Sequence, residues 1–255
     1  MHQAVPILQA TAISKRFGGV HALDHVHLTV EKGSITGLIG PNGAGKTTLF
    51  TVISAFMRPD EGTITFDGCP IHQTQPHQLV HYGLVRTFQI AKVLSRLSVL
   101  ENVLLATPNH PGEKFWNIWV RPTHVIATEK QRRQEAMAIL ESVGLAAMAH
   151  DYAGALSGGQ RKLLELARTL MVKPKLILLD EPAAGVNPTL IRQICDHIRQ
   201  WNQQGISFLI IEHNMDVVMS LCQHVWVLTE GKNLADGSPS SIQRDPRVLA
   251  AYLGE

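Results

Sequence analysis

The sequence predicts an α/β fold: a mostly parallel sheet carrying a phosphate loop, with a helical lobe between that loop and the later strands. Three observations predict it. A glycine-rich segment, Gly40-Pro41-Asn42-Gly43-Ala44-Gly45-Lys46-Thr47, stands between a strand-sized apolar run and a helical stretch. Apolar runs then alternate with amphipathic helical segments from Leu176 to Leu221, the pattern of a parallel sheet. Between these two regions, from about Ser98 to His150, the pattern is helical.

The elements follow in order. From Ile7 to Ile39 the chain reads as short strands: "HVHLTVEKGSITGLIG" alternates, turns at Glu31-Lys32-Gly33 and ends in a buried strand, Ile35 to Ile39. A helix is predicted from about Gly45 to Phe56, and Gly62 to Gly68 is a strand with turns at both ends. In "EKQRRQEAMAILESVG", Ala136, Ile139, Leu140 and Val143 recur at helical spacing, with Gly144 as a stop. Thr107 to Thr128 holds prolines, Trp116 and Trp119 without a clear period, and reads as an insertion or lid on the helical lobe. After Gln160 an amphipathic helix puts Leu163, Leu164, Leu166, Ala167 and Leu170 on its buried side. Strand Leu176 to Leu179, helix Leu190 to Trp201, strand Ile206 to Ile211 and helix Met215 to Leu221 alternate. "HVWVLTEGKNLADG" closes as a hairpin turning at Glu230-Gly231-Lys232.

Composition bounds the function. At 255 residues, 45% apolar and 17% charged, the chain can bury a large core and is not of disordered type. A net charge of +2 is too mild to argue for nucleic acid or an acidic membrane surface. Cys69, Cys195 and Cys222 share no close spacing, so neither a disulfide framework nor a metal pair follows, and a reducing compartment is expected. The N-terminus has no basic region followed by a long apolar run, so no signal peptide is expected. The longest apolar runs are strand-sized, so a soluble chain is expected.

The segment 40–47 fits the phosphate-loop pattern, and Thr48 extends it. Its glycines let the backbone wrap so that successive N–H groups point at phosphates, and the helix starting there adds its positive end. Lys46 would reach the β- and γ-phosphates, and Thr47 would coordinate Mg²⁺. From average composition such a match arises by chance in about 1 in 100 chains of this length. "LILLDE" is a buried strand ending in two acids. Alone it is an ordinary strand running into a turn. Beside a phosphate loop, Asp180 suits Mg²⁺ and Glu181 could orient or deprotonate an attacking water. His213 ends the strand of "FLIIEHNMD", at the same sheet edge, where a neutral imidazole could bond a γ-phosphate and its water. Gln89, in "VRTFQ" just before the helical lobe, could reach Mg²⁺ and the water with its amide.

"LSGGQ" poses a separate question. Ser157 and Gln160 have capping-box spacing, and Gly158 and Gly159 leave the helix start open to an anion. By itself this is a well-capped helix. Since the loop at 40–48 already surrounds one nucleotide, a second cradle makes sense facing a nucleotide held by another subunit.

With that segment the chain resembles the ATP-binding-cassette (ABC) ATPases. Phe17 in an early strand, the loop at 40–48, Gln89, LSGGQ at 156–160, the strand ending in Asp180-Glu181, and His213 fall in that family's order over nearly the whole chain. The resemblance implies a P-loop NTPase (RecA-like) core with an antiparallel β subdomain, at 1–89 plus 157–237. It implies an inserted α-helical subdomain at 90–156 and a helical tail at 238–255. It further implies two cassettes paired head to tail on two MgATP, with Ser157, Gly158, Gly159 and Gln160 acting on the partner's ATP and Phe17 stacking on adenine. Asn187 stands where many cassettes have aspartate, in the loop that crosses to the partner site.

"FGGVHALDHV", "VRTFQ", "DEPAAGVNP", "IEHNMDVVM" and "AYLGE" resemble one branch, the longer of the two paired ATPase types of branched-chain amino acid importers. That branch implies a sister cassette or second copy, two transmembrane permease subunits, indirectly a solute-binding protein, and a place on the cytoplasmic face of the inner membrane. Nucleic acid is not an implied partner. A repair or translation cassette would carry coiled-coil insertions, two cassettes or basic arms, which this sequence lacks, and a regulatory module without turnover would not need Glu181 and His213. Importers of urea or amides use similar cassettes. His21, His25 and His27 read as a solvated strand face rather than a metal site, and the two tryptophans as a small satellite core or a partner contact.

Overall fold

In the computed structural model, which describes residues 6–87, 93–107 and 122–253, the strands fall into two sheets. The elements in chain order are β1 (Pro6–Phe17), β2 (Val20–Glu31), β3 (Ile35–Ile39), α1 (Lys46–Ile53), β4 (Glu61–Phe66), β5 (Cys69–Pro70), α2 (Pro76–Tyr82) and β6 (Leu84–Arg86). Then come α3 (Val99–Leu104), α4 (Pro122–Ser142), α5 (Gly158–Leu170), β7 (Leu176–Asp180) and α6 (Pro188–Gln203). The chain ends with β8 (Ser207–Ile211), α7 (Met215–Leu221), β9 (His224–Thr229), β10 (Lys232–Gly237), α8 (Pro239–Arg244) and α9 (Pro246–Leu253). Two units form: Met1–Gln89 with Lys175–Glu255, and Ile90–Pro174.

The larger unit holds both sheets. The six-stranded sheet runs β10-β9-β3-β8-β7-β6, parallel except for β10. Every residue of β3, β7 and β8 is buried, as expected of parallel strands covered on both faces. The second sheet, β2-β1-β4-β5, is antiparallel. Its first two strands are 12 residues each, longer than the short strands expected from sequence. The reason is bulging: Ala12 and His25 have φ of 52° and 51°, and the register shifts between Ala10 and Ile13. Each bulge interrupts the two-residue alternation, so one long strand reads as two short ones. Ile13, Leu23 and Leu28 of this layer join Leu178 and Leu209 of the other sheet and Phe50 of α1 in one apolar core.

The smaller unit is helical. Ser98 and Glu101 cap α3 reciprocally, and α5 packs on α3 and α4 through a buried stripe that includes Leu163, Leu164, Leu166 and Ala167; Leu170 is half-buried. Because α5 packs there, this unit runs on to Pro174, beyond residue 156. Helix α4 starts at Pro122, so 122–128 are helical although the sequence around them is aperiodic. Proline suits a first helical turn, where its missing N–H has no partner to lose. Trp116 and Trp119 lie outside the described residues.

Candidate nucleotide site

The six-stranded sheet brings the chemistry to one edge. Leu38 of β3 pairs in parallel with Ile211 of β8, and Asp180 of β7 pairs with Ile211. The loop after Ile39, the Asp180-Glu181 step and His213 therefore leave the sheet at its carboxyl edge, where open α/β sheets bind ligands.

The loop at 40–48 is tightly held. Gly45 is the N-cap of α1 with φ 97°, and a Cβ there would stand 2.6 Å from the Ala22 carbonyl oxygen of β2. The Gly231 N–H, in the β9–β10 turn, donates to the Ala44 carbonyl at 3.2 Å, and the Asp24 N–H donates to the Gly231 carbonyl at 2.8 Å. Lys46 is buried, its Nζ donating to the carbonyls of Gly40 and Pro41 at 2.6 and 2.8 Å. Asn42, Gly43 and Thr47 are exposed, Pro41 and Thr48 half-buried. Phe17 ends β1 opposite Val20 and is 47% exposed, so it is no core aromatic.

Asp180 is buried and paired to Arg86, whose Nη2 lies 3.0 Å from its Oδ2. The same guanidinium donates to Ser54 Oγ of the α1 C-cap at 3.1 Å and stacks over Phe50 at 5.8 Å. Arg86 thus supplies the counter-charge that makes a buried carboxylate tolerable. Glu181 adopts φ 49°, which for a non-glycine residue stores roughly 1–3 kcal/mol and is characteristic of functional sites. Its Oε1 lies 2.9 Å from His213 Nε2.

Beneath this pair sits Glu212. It is buried and accepts backbone N–H bonds from Ala183 at 2.8 Å and His213 at 3.1 Å, with a longer one from Asn214 at 3.3 Å. It ties the loop after Glu181 to the loop bearing His213. Burial holds its carboxyl above the usual range despite those bonds, and the charge of Glu181 pushes the same way. Sequence pattern by itself assigns neither Arg86 nor Glu212 a role in the site. The available signal was a charge at the end of an apolar strand, which by itself does not say what the charge meets.

The LSGGQ segment begins α5 in the smaller unit. Ser157 Oγ accepts from the Gln160 N–H at 3.2 Å while Gln160 Oε1 accepts from the Ser157 N–H at 2.9 Å, a complete capping box. Ser157 and Gly158 are exposed, Gly159 and Gln160 half-buried, and a Cβ on Gly158 would meet nothing within 4 Å. The Ser157 hydroxyl keeps its own proton to donate. Asn187 is the N-cap of α6, its Oδ1 accepting from the Leu190 N–H at 2.9 Å. Asparagine and aspartate cap about equally well, so the local structure does not distinguish them. Gln89 lies outside the described residues. His25 pairs with Asp24 at 2.7 Å, and among the described residues no three His, Cys, Asp or Glu side chains gather as a metal group. No helix of the described residues is long and apolar enough to cross a membrane.

Residues 23–184 match a family model described as ABC transporter, and residues 232–255 match one described as branched-chain amino acid ATP-binding cassette transporter. The chain is 41% identical to the probable branched-chain amino acid transport ATP-binding protein LivG of Methanocaldococcus jannaschii, covering all of both chains. It is 38% identical to the high-affinity branched-chain amino acid transport ATP-binding protein BraF of Pseudomonas aeruginosa, over 98% of each. A crystal structure of an ATP-binding cassette of an ABC transporter in its ADP conformation superimposes with a TM-score of 0.84 at 40% identity, covering 98% of this chain and 100% of that one.

Proposed function

The chain belongs to the ABC transporter ATP-binding cassettes, and from that premise we propose that it binds and hydrolyses ATP as the energy-supplying subunit of a branched-chain amino acid importer. The observation that carries this reading is the full-length likeness to branched-chain amino acid transport ATP-binding proteins.

The residue roles follow from chemistry. The N–H groups of 43–48 and the positive end of α1 bind phosphate oxygens, and Lys46 exchanges its carbonyl partners for the β- and γ-phosphates. Thr47 and Asp180 offer the hard oxygen donors that Mg²⁺ takes, with Gln89 as a further oxygen. When bound, that ion would offset phosphate charge. Glu181 orients the attacking water and accepts its proton, and His213, 2.9 Å away, holds the carboxylate in place. Phe17 offers an exposed ring to adenine.

In a head-to-tail pair, Ser157, Gly158, Gly159 and Gln160 of one cassette close over the nucleotide of the other. ATP then acts as the adhesive and hydrolysis separates the pair. The partner cassette is a sister chain or a second copy. Two permease subunits hold the pair at the cytoplasmic face of the inner membrane, and a solute-binding protein delivers cargo to them.

The test is transport. Vesicles reconstituted with this chain, its sister cassette and the permease subunits should take up labelled leucine only with ATP inside and solute-binding protein outside. Uptake of urea or amides without leucine would reassign the cargo, and uptake indifferent to ATP would overturn the reading.

A further inference from the structure

The C-terminal segment reaches the nucleotide site. Residues 238–253 form α8 and α9, docked on the larger unit by Ile242 and Val248, which are 2% and 4% exposed. From the last turn of α9, Tyr252 Oη accepts a hydrogen bond from the Gly40 N–H at 2.8 Å.

Gly40 is where strand becomes phosphate loop. The ladder of β3 ends at Leu38 against β8 and at Ile39 against β9, so the buried Gly40 amide stands beyond it and takes its partner from elsewhere. With φ 146°, and with a Cβ there bound to collide with the Leu228 carbonyl oxygen, this backbone turn tolerates only glycine. The same residue is gripped on its other side, because its carbonyl accepts from Lys46 Nζ at 2.6 Å. Tyr252, Gly40 and Lys46 thus form one chain of hydrogen bonds from the tail to the lysine that meets phosphate.

We propose that Tyr252 is a positioning residue of the nucleotide site: its hydroxyl seats Gly40, and through it the loop and Lys46, so that ATP affinity depends on the docked C-terminal helix. This rests on residues 40–48 being the nucleotide site. It gives the terminal "AYLGE" motif a task inside the ATPase.

The test uses the full-length chain and Tyr252→Phe, which keeps the ring and removes the acceptor. Exchange of the Gly40 amide, followed by NMR without nucleotide, should quicken by about tenfold. Both Kd and KM for ATP should rise about fivefold, as for the loss of one ordinary hydrogen bond, while kcat at saturating ATP stays within about twofold and the melting temperature falls by only a few degrees. A ring that merely packs would leave the Phe variant like the parent, with only Tyr252→Ala impaired. Unchanged exchange, unchanged affinity, or a loss confined to kcat overturns the proposal. A parent chain that fails to bind ATP would instead overturn the nucleotide-site reading on which it rests.

Discussion

His213 Nε2 lies 2.9 Å from Glu181 Oε1, so the strained acid at the end of β7 is held by the first histidine beyond β8. In the proposed mechanism the acid does the proton work and the histidine orients it. Glu181→Gln should therefore bind ATP normally, lose turnover by about 10²–10⁴-fold, and accumulate as an ATP-held dimer. Phosphate release and analytical ultracentrifugation check both halves. A variant that hydrolyses at the parent rate removes Glu181 from the base role.

Arg86 is the counter-ion of a buried carboxylate. Arg86→Ala should destabilise the chain by about 3–5 kcal/mol in a denaturant melt, because Asp180 is left unpaired among apolar neighbours. Arg86→Lys should recover only part of this, since an ammonium cannot serve Asp180 and Ser54 with one rigid fork. Full recovery would show that charge alone matters there.

Glu212 gives a pH signature. Its carboxyl holds its proton more tightly in the folded chain than unfolded, so its contribution is complete below the ordinary glutamate range of about 4.3. That contribution is lost as pH rises through the raised native value. Glutamine cannot ionise. The stability of Glu212→Gln relative to the parent should therefore increase with pH across that window and then level off. A pH-independent offset should also appear, because the amide nitrogen cannot accept one of the backbone bonds. Thermal melts at stepped pH measure both, and a difference that is flat with pH excludes the raised value.

Ser157 separates capping from catalysis. Ser157→Ala should cost about 1 kcal/mol of stability through the lost cap. Ser157→Arg should leave ATP affinity at the chain's own loop unchanged yet abolish hydrolysis by the paired cassettes, read by nucleotide titration beside phosphate release. Full-speed hydrolysis by that variant, or by an isolated monomer, removes the cross-subunit role.

The sequence alone determined whatever depends on local order. The phosphate loop, the capping box at Ser157 and the strand-sized runs ending in Asp180 and Ile211 are legible because glycine spacing, cap spacing and apolar periodicity act within a few residues. Only the tertiary structure decided which distant groups meet: Arg86 with Asp180, Glu212 with Ala183, Tyr252 with Gly40. Those partners are brought together by parallel pairing and by docking of the tail, across separations of 94, 29 and 212 residues. A buried charge or hydroxyl advertises that it needs a partner, but which partner it takes depends on the register of strands that lie far apart in the chain.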